Sequence, residues 1–273
     1  MTFEHGAAHE WHAVDHTASP ATFVNYLDAI SSQSGVRAYK QASITLLGLK
    51  SGERVLDVGC GTGEDAQAIA WHVGPAGRVI GVDASQAMVE ESRRRASDLG
   101  LPLDFQAGDA HCLEFDDGAF GATRADRVLQ HLEYPERAVA ELTRVTRPGG
   151  RIVIADTDWG TLLVDAPDRE TTEVVLAEVA SVTRNSWMGR QLYGLVQRAG
   201  LREVTVSAFA GAITEKPVAD RLLYLAGGLE RARGSRKISR TAADRWEQAL
   251  QGAAAAGCFF SSITVFIVAG TRP

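Results

Sequence analysis

The chain has 273 residues, of which 45% are hydrophobic and 23% charged, with a net charge of −6. That is enough for one large globular domain, and the acidic balance carries no footprint for nucleic acid. No apolar run is long enough to span a membrane, the polar N-terminus is no signal peptide, and Cys60, Cys112 and Cys258 lack metal spacing and read as free thiols of a cytoplasmic protein.

Residues 1–46 precede the first strand. His5, His9, His12 and His16 fall at spacings of four, three and four, one face of a helix if a helix forms. Gly6 and the terminal position favour a polar arm over a metal site, so no metal is expected. FVNYLDAI (23–30) has helical spacing and predicts an N-terminal lid in which Phe23, Tyr26 and Leu27 cover a ligand. From there, strands are predicted at 54–59, 78–83, 102–107, 120–125 and 151–156, with helices near 64–73, 85–98 and 135–146 between them. Ser85 is a good helix N-cap, and Arg147-Pro148-Gly149-Gly150 is a turn signal. Strands separated by helices of this length imply a parallel sheet with right-handed crossovers. Residues 158–200 read as mostly helical, with long segments near 168–184 and 187–199. A strand at 203–210, helices at 217–231 and 240–255 forming a cap, and a last strand at 263–270 complete the pattern.

The chemistry starts at residues 55–65, VLDVGCGTGED. A dinucleotide loop reads G-x-G-x-x-G and seats a diphosphate on the following helix N-terminus. Here Gly59, Gly61 and Gly63 give G-x-G-x-G, and Glu64 fills the third-glycine slot with Asp65 beside it. Two acids there suit the helix dipole but repel a diphosphate. The loop suits a phosphate-free nucleoside, preferably a cationic one. Cys60 reads as a small loop filler rather than a nucleophile.

The stretch resembles the first motif of class I S-adenosylmethionine-dependent methyltransferases, of the small-molecule, quinone-biosynthesis or natural-product type. The likeness covers roughly 50–156, through Asp83, Gly108-Asp109-Ala110 and RPGGRIVI (147–154). It implies an α/β fold, Rossmann-like, with a seven-stranded, mostly parallel sheet and an antiparallel last strand. The division expected is a helical lid at 1–46, a cofactor core at 47–157, cap helices and strand six at 158–257, and the last strand at 258–273. The cofactor implied is S-adenosyl-L-methionine. Gly59 and Gly61 would let the backbone approach its methionine end, with Asp57 orienting the loop. Asp83, beside Ala84, would accept the ribose hydroxyls. Asp109, between Gly108 and Ala110, would meet the adenine, with Met88 on the ring face. Arg124 and Arg127 join this set, Arg127 toward the cofactor carboxylate or an anionic substrate.

In an open α/β sheet the ligand lies beyond the carboxyl ends of the strands. His131 is therefore the candidate catalytic residue, as a base or a hydrogen-bonding partner for the acceptor. Asp156 and Asp158 lack the companions of a magnesium site. Tyr26, Trp159, Trp187, Tyr193 and Tyr224 are expected to wall a pocket for a small, fairly apolar acceptor, attacked at O, N or C. Leu222, Leu223, Leu225, Met188, Phe259 and Phe260 add apolar surface in the same region. The rivals are an NAD-dependent oxidoreductase, disfavoured by Glu64; a nucleic-acid methyltransferase, disfavoured by RADR after strand four; and a non-catalytic S-adenosylmethionine-binding protein. The partner expected is a small-molecule acceptor, without nucleic acid or membrane span, and the sequence specifies no oligomeric state.

Overall fold

Runs of Val, Ile and Leu bounded by glycine turns become the strands of one sheet in the computed structural model, which describes residues 11, 14–17 and 19–273. They are β1 (Arg54–Val58), β2 (Arg78–Asp83), β3 (Leu103–Ala107), β4 (Phe120–Asp126), β5 (Thr146–Val164), β6 (Arg202–Ile213) and β7 (Ser261–Thr271), in the order β3-β2-β1-β4-β5-β7-β6. β1 to β5 pair parallel, and β7 runs antiparallel to both β5 and β6. Strands so continuously apolar must be covered on both faces. One face packs against α5 (Pro135–Val145) and α7 (Met188–Arg198), joining Leu56 and Ile154 to Leu142 and Leu192. The other packs against α2 (Ser34–Leu46) and α3 (Glu64–Val73), joining Val55 and Val153 to Ile44 and Ile69.

The remaining helices flank the ligand end. α1 (Pro20–Ser31) precedes α2, and α4 (Gln86–Ala96) follows β2 with Ser85 Oγ accepting from Met88 N at 3.2 Å. α6 (Arg169–Ala180), α8 (Lys216–Leu222), α9 (Leu225–Gly234) and α10 (Arg240–Ala255) surround a third core that includes Trp159, Val175, Leu229 and Trp246. Trp246 Nε1 donates to Thr172 Oγ1 at 2.8 Å, tying α10 to α6.

Two expectations change. Residues 158–164 are not helical: β5 continues to Val164 because β7 offers it partners, Asp158 opposite Thr264 and Leu163 opposite Ser262. The stretch predicted as one helix at 217–231 breaks at Leu223–Tyr224, where Tyr224 takes a left-handed φ of 56°. The region before β1 is helical as expected, with α1 over the stretch 23–30 and α2 after it. His16 lies in a short 3-10 turn, Val14–His16, while His5, His9 and His12 fall outside the described residues.

Candidate active site

The strand order reverses between β1 and β4, which opens a crevice at their carboxyl ends. A cavity of about 540 Å³ fills that crevice. Its floor is a buried ionic network. Arg124, 1% exposed on β4, donates from Nε to Ser43 Oγ (3.0 Å), from Nη1 to Asp57 Oδ1 (3.1 Å), and from Nη2 to Asp65 Oδ2 (3.0 Å) and Asp126 Oδ2 (2.9 Å). Lys40 adds a 2.7 Å pair to Asp65, and the Tyr39 hydroxyl donates to Asp126 at 3.4 Å. Burial pushes the Asp57 carboxyl up to about 6, more than Arg124 can offset. Asp65 goes the other way: burial is outweighed by Arg124 and Lys40, which hold it well below the usual range. Asp57 Oδ2 is buried with no hydrogen-bond partner, an open acceptor in the cavity wall.

Above this floor runs the glycine loop. Gly59, Gly61 and Gly63 all have left-handed φ, 69°, 53° and 83°. A Cβ on Gly59 would fall 2.2 Å from Val128 Cγ2, and one on Gly63 would fall 2.6 Å from Phe105 Cζ. The loop's glycines thus satisfy protein packing as well as any approach to a ligand. Asp83 fixes the loop: Oδ2 accepts from Gly61 N at 2.8 Å and Oδ1 from Ser85 N at 3.0 Å. Burial raises the Asp83 carboxyl, and these backbone donors offset only part of that. The Cys60 thiol is pushed well up by burial and by Asp83 and Asp57, so it is an unreactive filler.

Beyond Asp83 the cavity is lined by Ala84, Met88, Gly108, Asp109 and Ala110. Asp109 stands at the exposed rim. Its Oδ1 accepts from His111 N at 2.8 Å and pairs with His111 Nδ1 at 2.7 Å. Met88 is buried under Val14 and Phe23 of the N-terminal segment. Asp15 fastens that segment: its carboxylate accepts from Gln86 N (2.7 Å), Ala87 N (3.2 Å) and Ser85 Oγ (2.5 Å) at the start of α4.

The other end of the cavity carries His131, Arg127, Gln130, Trp159, Tyr26 and Tyr224. Tyr26 stacks on Tyr224 at 5.6 Å and Tyr224 on Trp159 at 6.2 Å, while Trp11 lies 5.9 Å from His131. Gln130 holds the wall in place, its Oε1 accepting from Trp159 Nε1 at 3.0 Å. Asp156 sits behind it, accepting from Gln130 N at 3.2 Å; burial and the Asp126 charge push its carboxyl well up. Asp158 is taken by Arg190, with Nη2 to Oδ1 at 2.7 Å. Two acids engaged in this way make no metal pair, and among the described residues no cluster of three or more metal-binding side chains occurs.

Most of the residues singled out in the sequence therefore line one cavity. Trp187 and Tyr193 do not. They are 54% and 46% exposed on the outer side of α7, Trp187 stacked by the Arg190 guanidinium and Tyr193 bonded to Gln197. The reason is helical period: Met188, Leu192 and Val196 form the buried face, and Tyr193 points away from it. Arg124 lines the floor, but its three donor nitrogens are already engaged, so it positions carboxylates. Sequence reasoning missed Tyr39, Lys40, Trp11, His111 and Gln130. The signal for Tyr39 was present in the spacing of Val36, Tyr39, Ser43, Ile44 and Leu47.

The chemistry of these donors fits S-adenosylmethionine. The unpartnered Asp57 Oδ2 matches an ammonium, Asp83 offers an anchored carboxylate to a diol, and no phosphate cradle exists beside Glu64 and Asp65. Comparisons with known proteins agree. Residues 49–200 match a family model described as a methyltransferase domain. An uncharacterized 37.1 kDa protein in a transposon of Streptomyces fradiae is 39% identical over 246 residues, 90% of this chain and 70% of that one. A demethylmenaquinone methyltransferase of Beutenbergia cavernae is 39% identical over 120 residues, 44% of this chain and 47% of that one, so the match spans about half its length. Among solved structures, a Haemonchus contortus phosphoethanolamine N-methyltransferase 2 superposes with a TM-score of 0.61 at 19% identity, covering 97% of this chain and 60% of that one, and shares the fold. On the site and the family match together, the chain belongs to the class I S-adenosylmethionine-dependent methyltransferases.

Proposed function

We propose that the chain is a single-domain enzyme that methylates an O, N or C nucleophile of a small, fairly apolar metabolite held between the N-terminal lid and the cap. The observation that carries this reading is the continuity of the cavity. It runs from the glycine loop and Asp83 to an aromatic wall of Tyr26, Tyr224 and Trp159, with His131 between. The relatives named for demethylmenaquinone and phosphoethanolamine support a small-molecule acceptor. The net charge of −6 supports a role without nucleic acid, and the exposed free thiols Cys112 and Cys258 suit the cytoplasm. The test is S-adenosylhomocysteine formation across a panel of hydroxyaromatic, amine and quinol acceptors; S-adenosylmethionine binding without turnover on any of them would count against it.

When bound, S-adenosylmethionine supplies an electrophilic methyl group. The chain's own work is to hold the nucleophile in line with it, keep water out and take a proton where the nucleophile has one to lose. In this reading Asp57, Gly59, Gly61, Asp83, Ala84, Met88, Gly108, Asp109 and Ala110 hold the cofactor, and His131 accepts the acceptor's proton. His131→Ala is then expected to lower kcat by about 10²–10⁴-fold while cofactor affinity holds within about twofold. Unchanged turnover would make the histidine a packing residue.

Asp57 gives a pH prediction. Its carboxyl titrates at about 6 in the fold, so it is charged above that pH and neutral below it. The charged groups that face it are Arg124, Asp65 and Asp126, of which Arg124 stays cationic and Asp65 ionised through this range. S-adenosylmethionine affinity is expected to weaken as pH falls through 6, by at most about tenfold per pH unit for one proton. Calorimetric titration checks this, and Asp57→Asn should flatten the profile.

A further inference from the structure

We propose that Arg127 is the receptor for an anionic oxygen group on the methyl acceptor, which makes the substrate a small apolar or aromatic acid. The inference rests on the methyltransferase reading above and names its substrate class.

Arg127 follows β4 directly and takes a left-handed φ of 57°. Such a backbone costs an ordinary residue about 1 kcal/mol or more, and persists where function requires it. Four non-glycine residues among those described have positive φ: Arg127, Glu203, Tyr224 and Arg236. Arg127 and Tyr224 are the two that line the cavity. Strain is therefore concentrated where the acceptor would lie.

The guanidinium is also unspent. Its Nε is buried without a hydrogen-bond partner, and among the described residues no carboxylate lies within ion-pair distance of the side chain. Arg124, three residues earlier, has each donor nitrogen engaged. Asp126, the neighbouring acid, has its Oδ2 committed to Arg124 and Tyr39. The electrostatic neighbours of Arg127 are Tyr39, Asp126, Tyr26 and Asp65, whose attraction outweighs its burial and holds the guanidinium charged, yet neither acid reaches it as an ion pair. An arginine fork in an aromatic, water-poor wall is suited to a carboxylate, phosphate or ionised ring hydroxyl.

The cofactor has a carboxylate too. Arg127 lies between the floor and the acceptor wall: Tyr39, Asp126 and Asp65 neighbour it on one side, and on the other Tyr26 and Tyr224 of the lid and the cap, which stack toward Trp159. The cations paired directly to Asp65 behind the glycine loop are Lys40 and Arg124. An acceptor pinned by its anion at Arg127 would lay its apolar body on that wall, next to His131.

The test uses the full chain saturated with S-adenosylhomocysteine and two matched probes, 4-hydroxybenzoate and its neutral amide, by calorimetry. The native chain should prefer the carboxylate. Arg127→Met should weaken the carboxylate by about thirtyfold or more, with the amide and S-adenosylhomocysteine unchanged. Arg127→Lys should restore part of the preference. Arg127→Met should lower the melting temperature of the unliganded protein by much less than Arg124→Met, since the guanidinium makes no ion pair there; a drop as large as that of Arg124→Met would mark a structural residue and overturn the inference. So would equal binding of the two probes, or no binding of the carboxylate at millimolar concentration. If Arg127→Met weakens S-adenosylhomocysteine but not 5′-methylthioadenosine, which lacks the carboxylate, the residue serves the cofactor and the inference fails. Failure of the native chain to bind S-adenosylhomocysteine at all would instead sink the methyltransferase reading itself.

Discussion

Arg124→Met is expected to lower the unfolding free energy by about 3–5 kcal/mol, the usual result of removing one partner from a buried ionic cluster. The size follows from what is left behind. Asp57, Asp65 and Asp126 would share a buried site with Lys40 as their remaining close cation, and Ser43 would lose its guanidinium partner. For a domain of this length the melting temperature should fall on the order of 10 °C. The pH dependence identifies the cause. Without Arg124 the Asp57 carboxyl, already raised by burial, stands further above its unfolded value, so the native state holds an extra proton. Stability then falls as pH rises, and the deficit against the native chain should shrink as pH is lowered toward the ordinary carboxylate range. Adding Asp126→Asn should recover part of the loss. A urea midpoint unchanged from the native chain would mean the network contributes no net stability.

Asp83→Ala is expected to weaken S-adenosylhomocysteine binding by about 2–4 kcal/mol, roughly 30- to 1,000-fold. Two effects add. The carboxylate is the expected acceptor for the ribose hydroxyls, and it also holds the glycine loop through Gly61 N and the start of α4 through Ser85 N. Asp83→Asn keeps one acceptor oxygen and should fall between the two. Because Gly61 N and Ser85 N can turn to water in the unliganded protein, stability should change much less than affinity. Calorimetry paired with thermal melts separates them. Native affinity in Asp83→Ala would remove this acid from the cofactor site.

The cofactor end was readable in the chain because its determinants are local. Gly63, Glu64 and Asp65 open α3 and Gly74 closes it, so the predicted span 64–73 matches Glu64–Val73. Ser85 caps α4 as its type and place suggest. What was not readable depends on distant partners. After Asp156, the residues Trp159, Leu162 and Val164 do not alternate as a half-buried strand should, and β7 imposes the strand from about a hundred residues away. Arg124 meets Ser43, Asp57 and Asp65, three separate segments that only the folded sheet brings together. Placing Trp187 and Tyr193 in the pocket weighed aromatic character above helical phase, and the phase of α7 was legible in Met188, Leu192 and Val196.

The cap joins the sheet in a way that bears on how such an enzyme diversifies. Ile213 at the end of β6 lies opposite Ser261 at the start of β7, so residues 214–260 leave the sheet and return to it at the same place. The segment behaves as a plug-in: its two ends meet the scaffold at a single hydrogen-bonded rung, and nothing in the cofactor shelf threads through it. Helices α8, α9 and α10 pack on α6 and α1 and not on β1, β2 or the loop between β1 and α3. Of the cavity wall, Leu222, Leu223 and Tyr224 ride on this excursion, while Tyr26, Arg127, His131 and Trp159 belong to the rest of the chain.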